Sequence, residues 1–362
     1  MREIRTSLTS IVIVLLCVGT IMIYSASGIY ALQQLGDSLF YLKRHLLFLF
    51  VGFIMTMVVM SSDYRDLRRW AKPILLFSLL TLILVLIPGI GKASYGARRW
   101  FKIGVFSIQP SEFAKLAVLV YVADFLARKQ NKIKDFREGF LPLVSILGGF
   151  CLLILKQPDL GNAVLMAVIV FTMMFMAGAQ LHHMGALCVL ALPALYLLVV
   201  KVPYRLIRIM TFLNPWEDSQ GAGFQLTQSQ IALGSGGFFG VGLGHSVQKL
   251  YYLPAAHTDF ILSIIGEEMG FVGVFTIIVL FMVFIWQGAR IANRVTDPFG
   301  YFLSVGIVSL LGLQAVINVG VSIGALPTKG LPLPFISYGG SALVVNMMAV
   351  GLLLNISRIQ DQ

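Results

Sequence analysis

An apolar stretch near residue 260 carries side chains whose types and spacing could perform acid–base chemistry. The segment LPAAHTDFILSIIGEEMGF (253–271) could enter a lipid bilayer, yet it begins with His257 and Asp259 and contains Glu267 and Glu268. Burying a carboxylate in hydrocarbon is costly, so acids at this depth usually serve a function. Asp259 is therefore our candidate catalytic residue, and we predict that it acts as a general base.

Two other roles for the same residues are a helix cap and a metal site. Thr258 and Asp259 are both good caps for a helix that starts at Phe260. A His-x-Asp pair could bind metal, but a third ligand at a recognisable spacing is missing, which disfavours a dedicated zinc site. Looser Mg²⁺ or Mn²⁺ coordination, shared by Asp259 and the phosphates of a substrate, is favoured. An organic cofactor is not expected, because the glycine-rich segment 234–244 lacks the βαβ unit of a dinucleotide site.

A cluster of basic residues could bind phosphate. Arg98, Arg99 and Lys102 surround Trp100 and Phe101 in one loop. Arginine offers a planar fork of donors that matches phosphate oxygens, whereas simple anchoring to anionic lipid headgroups is the alternative. Further basic residues in other long loops extend this positive field: Arg205, Arg208, Lys249 and Lys329.

Two Gln-Pro motifs begin apolar segments with an acidic residue. In QPSEFAK (109–115), Glu112 and Lys115 have the i, i+3 spacing of a helical ion pair, with Ser111 as the helix start. In QPDLG (157–161), Asp159 reads first as a cap stabilised by the helix dipole. An acid near the bilayer surface could also contact a substrate.

Composition indicates the elements that must position these residues. Of 362 residues 58% are hydrophobic and 12% charged, and the mean hydropathy is +0.87, which predicts a polytopic membrane protein. The formal net charge of +11 does not indicate a nucleic-acid partner, because most Lys and Arg lie in short loops between apolar runs. The three cysteines lie in apolar segments and suggest neither disulfides nor a metal site.

The apolar runs predict an all-α integral membrane protein with ten transmembrane helices, each near the roughly 20 residues needed to cross a bilayer. The predicted spans are 8–28, 45–60, 72–89, 112–127, 139–156, 159–178, 184–201, 260–286, 299–323 and 341–357. Positive charge is densest in the loops on the side of the two termini, so both termini are expected in the cytoplasm. The first run reads as an uncleaved anchor.

The long loops then all face outwards, at 29–44, 90–111, 202–259 and 324–340. The largest, about 202–259, lies between helices 7 and 8. The loop at about 324–340 is rich in Pro and Gly, which fits either a re-entrant element lining a cavity or a simple surface loop. Internal repeats are not evident, which counts against an ordinary secondary transporter.

Several motifs, in order along nearly the whole chain, carry a family resemblance. They are YSAS (24–27), GARRWF (96–101), QPSEFAK, QPDLG, QSQIALGSGGFFGVGLGHSVQKLYYLPAAHTDFI (228–261), IGEEMG (265–270) and NVGVSIGALPTKGLPLPFISYGGS (318–341). The sequence is similar to the SEDS proteins of bacteria, most closely to the FtsW and SpoVE branch. Val241 stands where the RodA branch usually has Lys, whereas Ala255 stands where division-type members often have Glu.

The resemblance implies a single SEDS-type transmembrane domain, residues 1–362, in the bacterial cytoplasmic membrane. It implies a glycosyltransferase that polymerises lipid II into glycan strands in septal or sporulation wall synthesis, for which Asp259 is required. It also implies a class B penicillin-binding protein as partner, with other divisome or elongasome proteins. A lipid II flippase or transporter, a RodA-type elongation polymerase and a scaffold are the alternatives.

In that reaction an α-linked sugar diphosphate becomes a β-1,4 bond, so one inverting displacement with one base would suffice. Asp259 would take the proton of the acceptor C4 hydroxyl, while the basic residues or a divalent cation stabilise the leaving diphosphate. The candidate substrate-binding residues are Arg98, Arg99, Lys102, Gln109, Glu112, Lys115, Asp159, Gln248, Lys249, His257, Thr258, Lys329 and Ser337.

Overall fold

The computed structural model describes residues 1–94, 97–104, 106–251, 253 and 256–359. Ala255, at which the chain departs from division-type sequences, lies outside them. The α-helices of the described chain are α1 (Arg2–Leu35), α2 (Phe40–Ser61), α3 (Leu67–Leu84), α4 (Pro110–Arg128), α5 (Leu141–Lys156), α6 (Leu160–Met176), α7 (Leu181–Val200), α8 (Pro203–Leu213), α9 (Phe224–Ser235), α10 (Gln248–Tyr251), α11 (Ile261–Arg294), α12 (Pro298–Ser322) and α13 (Gly340–Ile359).

Seven helical segments of the described chain are long and apolar enough to cross a membrane, so this is a multi-pass membrane protein. They are α1, α2, α5 with the π-helical turn Phe136–Phe140 before it, α7, α11, α12 and α13, and each coincides with a predicted span. The other three predicted spans coincide with α3, α4 and α6. Charged residues lower the apolar character of α3 and α4, and α6 has 17 residues.

The centre of the bundle is formed by α4, α12 and α13, whose residues are mostly buried. Helix α12 packs against α4, α6 and α11, while α13 packs against α2. Apolar residues on nearly every side of α12 and α13 account for their central position, because a helix that is hydrophobic all round is stable only when other helices or lipid surround it. Helix α4 also buries charged residues, of which Glu112 and Lys115 pair with each other.

The prediction of an all-α fold is wrong in one segment. Described residues between α3 and α4 form a three-stranded antiparallel sheet of β1 (Lys92–Ser94), β2 (Ala97–Ile103) and β3 (Phe106–Ile108). In the register Arg98 opposes Ala93, Trp100 opposes Lys92 and Lys102 opposes Ser107. Alternate residues of a strand face opposite sides, so Arg98 and Lys102 share one face of β2 and Arg99 lies on the other.

The long segment 202–259 is also more regular than the irregular loop that we predicted. It contains α8, α9 and α10. Pro203 stands at the first position of α8, where a missing N–H costs nothing. In α8 the exposed apolar residues Ile207, Met210 and Leu213 recur at helical spacing, which is the pattern of a helix lying against an apolar phase.

The second half of the segment 324–340 is buried in the protein, whereas residues 324–330 are partly or fully exposed. Leu331, Leu333, Phe335 and Ile336 are no more than 1% exposed, so this part of the segment is not a simple surface loop. Phe335 has φ +66°, an uncommon conformation for a bulky residue. The surrounding turn holds it there, because Ser337 N donates to Leu333 O at 3.0 Å and Leu333 N donates to Ser337 Oγ at 2.9 Å.

Helix α11 is interrupted at Gly270, whose φ of +68° and ψ of −165° are not helical. The glycine-rich segment 237–242 packs against this break. Val241 N and Gly242 N donate to the carbonyls of Glu267 and Glu268 at 2.9 and 3.0 Å. Phe271 N returns a hydrogen bond to Gly237 O at 2.9 Å. Backbone from 237–242 therefore satisfies the groups that the break exposes, as irregular backbone at membrane depth requires.

Candidate active site

Asp259 lies in the turn that precedes α11, and its side chain does not cap that helix. The helix begins at Ile261, with Phe260 at the cap position and no side-chain cap hydrogen bond. A methyl group on Gly330 would lie 3.1 Å from Oδ2 of Asp259, so the carboxylate faces a residue without a side chain. The helix-cap interpretation of Asp259 is therefore wrong, and its role as a general base stays a prediction.

Asn318 of α12 fixes the backbone beside this carboxylate. Its Nδ2 donates to the carbonyl of Asp259 at 3.0 Å and to the carbonyl of Leu331 at 2.9 Å. One buried amide thus joins the turn before α11 to the 324–340 segment. Because both acceptors are main-chain atoms, these hydrogen bonds fix the backbone of Asp259 and do not involve its carboxylate oxygens.

Burial raises the pKa of the Asp259 carboxyl to about 6, and the positive charge of Arg208 opposes that rise. Arg208 extends from α8, where its Nη1 donates to the carbonyl of Thr328 at 3.1 Å. Desolvation disfavours the charged form of a carboxyl, whereas a nearby cation favours it. At neutral pH this carboxyl is mostly ionised yet more basic than an ordinary aspartate.

Lys329 and Asp159 form the next part of the site. A methyl group on Gly161 would lie 3.7 Å from Oδ1 of Asp159 and 3.8 Å from Cδ of Lys329, so both side chains lie beside the start of α6. Burial lowers the pKa of Lys329, and the charge of Asp159 opposes that decrease. Since Lys329 directly precedes Gly330, this pair adjoins Asp259.

Asp159 is a helix cap, as the sequence indicated first. Its Oδ1 accepts from Asn162 N at 3.1 Å and its Oδ2 accepts from Asn162 Nδ2 at 2.9 Å. Gln109 Nε2 approaches Oδ2 at 3.4 Å, which brings the two Gln-Pro motifs together. Gln109 itself stands at the cap position of α4, two residues before the predicted start at Ser111, since Pro110 is well suited to a first helical position.

The three basic residues of the sheet have different environments. Arg99 Nε donates to the carbonyl of Gln157 at 2.7 Å and its Nη2 donates to the carbonyl of Pro158 at 2.6 Å. Arg99 therefore holds the turn before Asp159 and positions it. Arg98 and Lys102 are exposed on the opposite face of β2, where they can meet a ligand in solution or at the membrane surface.

Aromatic rings surround His257. Its ring centroid lies 4.5 Å from that of Tyr41, 5.7 Å from Tyr338 and 6.0 Å from Tyr30. Burial lowers the pKa of His257 to about 4, so it is neutral at physiological pH. Tyr338 N donates to the carbonyl of His257 at 2.9 Å, and Thr258 lies partly buried in the same turn.

Glu267 and Glu268, which the sequence placed below the candidate base, hold the segment 246–249. Glu267 accepts hydrogen bonds from Ser246 Oγ and, at 2.9 Å, from Val247 N. Glu268 forms a buried ion pair with Lys249 at 2.5 Å. Hydrogen bonds to Glu267 and the ion pair of Glu268 with Lys249 compensate the two negative charges. This explains how an apolar helix can contain two acids.

Five predicted substrate-binding residues make contacts away from Asp259 in the described structure, four of them through their side chains and Gln248 through its backbone. Lys249 also donates to Ser25 Oγ at 2.9 Å, and Gln248 N lies 3.4 Å from the Glu267 carboxylate. Glu112 and Lys115 form the expected i, i+3 ion pair at 2.8 Å with both side chains buried. Ser337, the fifth such residue, holds the turn around Phe335.

Metal ligands do not converge in the part of the chain that the structure describes. Groups of three or more His, Cys, Asp or Glu side chains that could hold an ion are absent there. Asp259 with the phosphates of a substrate remains the only arrangement that we predict for Mg²⁺ or Mn²⁺.

Sequence reasoning missed Asn318 and the tyrosines around His257, and it gave Arg208 only a general role in a positive field. Asn318 had a weak signal, since it is a polar residue inside the apolar α12 and begins the motif NVGVSIG. The tyrosines come from α1, α2 and the segment before α13, so their convergence depends on tertiary packing.

Comparison with known proteins assigns this chain to a family. The family model of the FtsW, RodA and SpoVE cell cycle proteins matches residues 5–362. The chain belongs to the FtsW, RodA and SpoVE family. The probable peptidoglycan glycosyltransferase FtsW of Geobacter metallireducens is 49% identical over 345 residues, covering 95% of this chain and 92% of that protein. Stage V sporulation protein E of Bacillus subtilis is 47% identical over 351 residues, covering 97% and 96%.

Solved structures of family members share the fold. A chain from a peptidoglycan synthase complex that coordinates polymerization and crosslinking superimposes with a TM-score of 0.80 at 31% identity, covering 98% of each chain. The rod shape determining protein RodA of Thermus thermophilus gives a TM-score of 0.73 at 28% identity, covering 98% of this chain and 97% of that one.

Proposed function

We propose that this chain is a peptidoglycan glycosyltransferase that polymerises lipid II into glycan strands, in septal or sporulation wall synthesis. Relatives that are named for this activity or for sporulation are 47–49% identical over nearly the whole chain. The observation that carries the chemistry is the position of Asp259. Its carboxylate faces Gly330, is fixed through its backbone by Asn318, and has a pKa raised by burial.

In this mechanism Asp259 is the general base of a single inverting displacement. The acceptor C4 hydroxyl attacks the anomeric carbon of the donor, the bond from that carbon to the diphosphate oxygen breaks, and the hydroxyl proton passes to Asp259. A base with a pKa near 6 is more effective than an ordinary aspartate and is still mostly ionised at pH 7. The diphosphate is a good leaving group and needs charge stabilisation more than protonation.

Basic side chains around the carboxylate would provide that stabilisation. Arg208 acts on Asp259 electrostatically from α8, and Lys329 directly precedes Gly330. We assign the diphosphate to these two residues, with Arg98 and Lys102 on the exposed face of β2 guiding the anionic substrate. Arg99 serves as a positioning residue, because it is bound to the carbonyls of Gln157 and Pro158. If a divalent cation binds, it would neutralise the same diphosphate.

The proposed topology follows from the same arrangement. Ten helices, seven of them strongly apolar, would leave both termini in the cytoplasm and place the sheet, the 202–259 segment and Asp259 at the outer face. The substrate would then approach from the outer leaflet of the bacterial cytoplasmic membrane. A class B penicillin-binding protein is the proposed partner, consistent with the similar chain in a peptidoglycan synthase complex.

The test is strand synthesis from purified lipid II, analysed on a gel of glycan products with and without Mg²⁺ or Mn²⁺. The full chain would be purified with the class B penicillin-binding protein of the same organism. Asp259→Asn should abolish polymer formation while thermal unfolding and complex assembly remain unchanged. The matched control is Asp37→Asn, an exposed aspartate paired with Lys43 at 2.8 Å, which should retain full activity. Normal polymer from Asp259→Asn would refute the proposal, and lipid II movement across liposomes without polymer would favour transport.

A further inference from the structure

An open basic cavity lies at the ends of α3 and α4 that are opposite the sheet. It has a volume of about 410 Å³ and is lined by Arg65, Arg68, Arg69, Lys72, Asp124 and Arg128. The chain leaves α3 for β1 and enters α4 from β3, so residues at the start of α3 and the end of α4 lie away from Asp259. A helix of 18 residues spans about 27 Å, which separates the two sites by most of the bilayer.

Two of the four arginines of this cavity, Arg68 and Arg128, are held in place by one buried carboxylate. Asp124 accepts from Arg68 Nε at 3.0 Å and pairs with Arg128 Nη2 at 2.7 Å, and its side chain is 5% exposed. The side chains of Arg68 and Arg128 are 42% and 40% exposed, so a ligand can still reach them. A fixed guanidinium loses little freedom when it binds a ligand, which favours recognition of a planar or tetrahedral anion.

Positive charge in the cavity exceeds the charge of its carboxylate. Five cationic residues line it and Asp124 is the one anionic lining residue. Asp66 approaches Arg69 at 3.8 Å, but both side chains are exposed, so this contact compensates little. The cationic residues come from the 64–66 turn, from α3 and from α4, and they repel one another. An anion bound among them would reduce this repulsion.

An exposed apolar stripe continues from the cavity along α3. Leu76 and Leu80 are 64% and 51% exposed and follow Arg69 and Lys72 at helical spacing, while Trp70 beside them is 62% exposed. Tryptophan at the end of a membrane helix is typical of headgroup depth. A ligand with a phosphate in the cavity and acyl chains along Leu76 and Leu80 matches both parts of this surface.

We infer that this cavity is a phosphate site that binds the headgroup of an anionic phospholipid of the leaflet opposite Asp259. The chemistry required is a phosphodiester whose headgroup carries no compensating cation, held by Arg68, Arg69, Lys72 and Arg128. Free inorganic phosphate shares the charge but not the apolar part of the ligand. The site is distinct from the proposed lipid II site in position and in leaflet.

The test is a titration of the purified full chain in neutral detergent with phosphatidylglycerol, with phosphatidylcholine or with inorganic phosphate, read by native mass spectrometry and thermal unfolding. We expect saturable binding of phosphatidylglycerol with a rise in Tm. Arg69→Gln combined with Lys72→Gln should weaken that binding by about tenfold or more, since each basic residue near a lipid surface contributes roughly 1 kcal/mol. Both residues are exposed, so the variant should fold.

The matched control is Lys134→Gln combined with Arg294→Gln, two exposed cations outside the cavity on the same side of the bundle. This pair should leave phosphatidylglycerol binding unchanged. Equal weakening by both pairs would overturn the site in favour of a diffuse positive surface. Equal stabilisation by inorganic phosphate would overturn the assignment to a lipid, and equal binding of phosphatidylcholine would overturn the selectivity for an anionic headgroup.

Discussion

The side-chain amide of Asn318 donates a hydrogen bond to the backbone carbonyl of Asp259 at 3.0 Å, and the same nitrogen binds Leu331 O at 2.9 Å. Asn318 is 2% exposed and touches neither oxygen of the Asp259 carboxylate in this network. It is therefore a positioning residue that ties the proposed base to the segment carrying Lys329 and Gly330. Small displacements of a catalytic group reduce the rate of reaction strongly.

Asn318→Ala should lower kcat for glycan synthesis by roughly tenfold to a hundredfold, with a smaller change in KM for lipid II. The matched control is Asn355→Ala, because Asn355 Nδ2 likewise bridges two carbonyls, those of Val59 at 2.8 Å and Ser62 at 2.5 Å, at the other side of the bundle. Asn355 Oδ1 also accepts from Tyr64 N at 3.3 Å, so Asn355→Ala should lose at least as much stability as Asn318→Ala. A loss of kcat per folded molecule that is equal in the two variants would contradict the positioning role.

Activity should depend on the ionisation of Asp259. Burial raises the pKa of this carboxyl to about 6, so a base with that pKa is protonated as the pH falls through 6 and kcat/KM should decrease about tenfold per unit below it. Arg208 lowers the pKa, and Arg208→Gln should therefore move the acidic limb of the profile to higher pH. The measurement is kcat/KM between pH 5 and pH 8.

The control for this profile is Arg205→Gln, which removes the same charge from α8. Arg205 Nη1 donates to the carbonyl of Leu198, and Arg205 is not among the groups that shift the pKa of Asp259. Its profile should keep the midpoint of the unmodified protein. A midpoint that stays in place in Arg208→Gln would indicate that another group titrates.

The ion pair of Lys249 and Glu268 should stabilise the fold and contribute little to substrate binding. Both side chains are less than 5% exposed, and removing one partner leaves an uncompensated buried charge. Lys249→Met should lower the free energy of unfolding by about 3–5 kcal/mol, and adding Glu268→Gln should restore part of it. The measurement is thermal unfolding beside strand synthesis per folded molecule. A loss of strand synthesis with no change in Tm would contradict the structural role and indicate that Lys249 binds the substrate.

Local patterns in the sequence predicted much of this molecule. The apolar runs lie where helices are found, Glu112 and Lys115 pair at the i, i+3 spacing, and Asp159 caps α6. Each of these features depends on residues of one continuous segment, so the local sequence is enough to predict it.

Features that join distant segments escaped prediction. Glu268, the partner of Lys249, is 19 residues away in the sequence, and the two meet because the 236–249 segment packs back along α11. Asn318 binds the backbone of Asp259 from 59 residues away. The sheet was missed for a different reason. Its strands have three to seven residues, and the alternation of ARRWFKI is short and basic, so it resembles a charged loop between two spans.

The glycine-rich segment offers a steric test with an internal control. A methyl group on Gly236 would lie 1.9 Å from the carbonyl oxygen of Gly266 in α11, whereas one on Gly234 would meet nothing within 4 Å. Gly236→Ala should therefore force α9 away from α11 and lower the Tm by several degrees. Gly234→Ala should keep or slightly raise the Tm, because alanine favours the helix. Equal Tm values for the two variants would show that the close approach is not required.

Residues on the two faces of β2 should have different roles. Arg98 and Lys102 on one face should bind the substrate, whereas Arg99 on the other face should maintain the geometry of the site. Arg98→Gln combined with Lys102→Gln removes two exposed charges, and we expect a higher KM for lipid II, by about fivefold to thirtyfold, with kcat and Tm nearly unchanged. Arg99→Gln removes the donors to Gln157 O and Pro158 O and should lower kcat and Tm together, because the turn before Asp159 loses its support. Steady-state kinetics at several salt concentrations would distinguish them, since only the first variant should lose the salt dependence of KM. The same kinetic change in both variants would mean that Arg99, like Arg98, contacts the substrate directly.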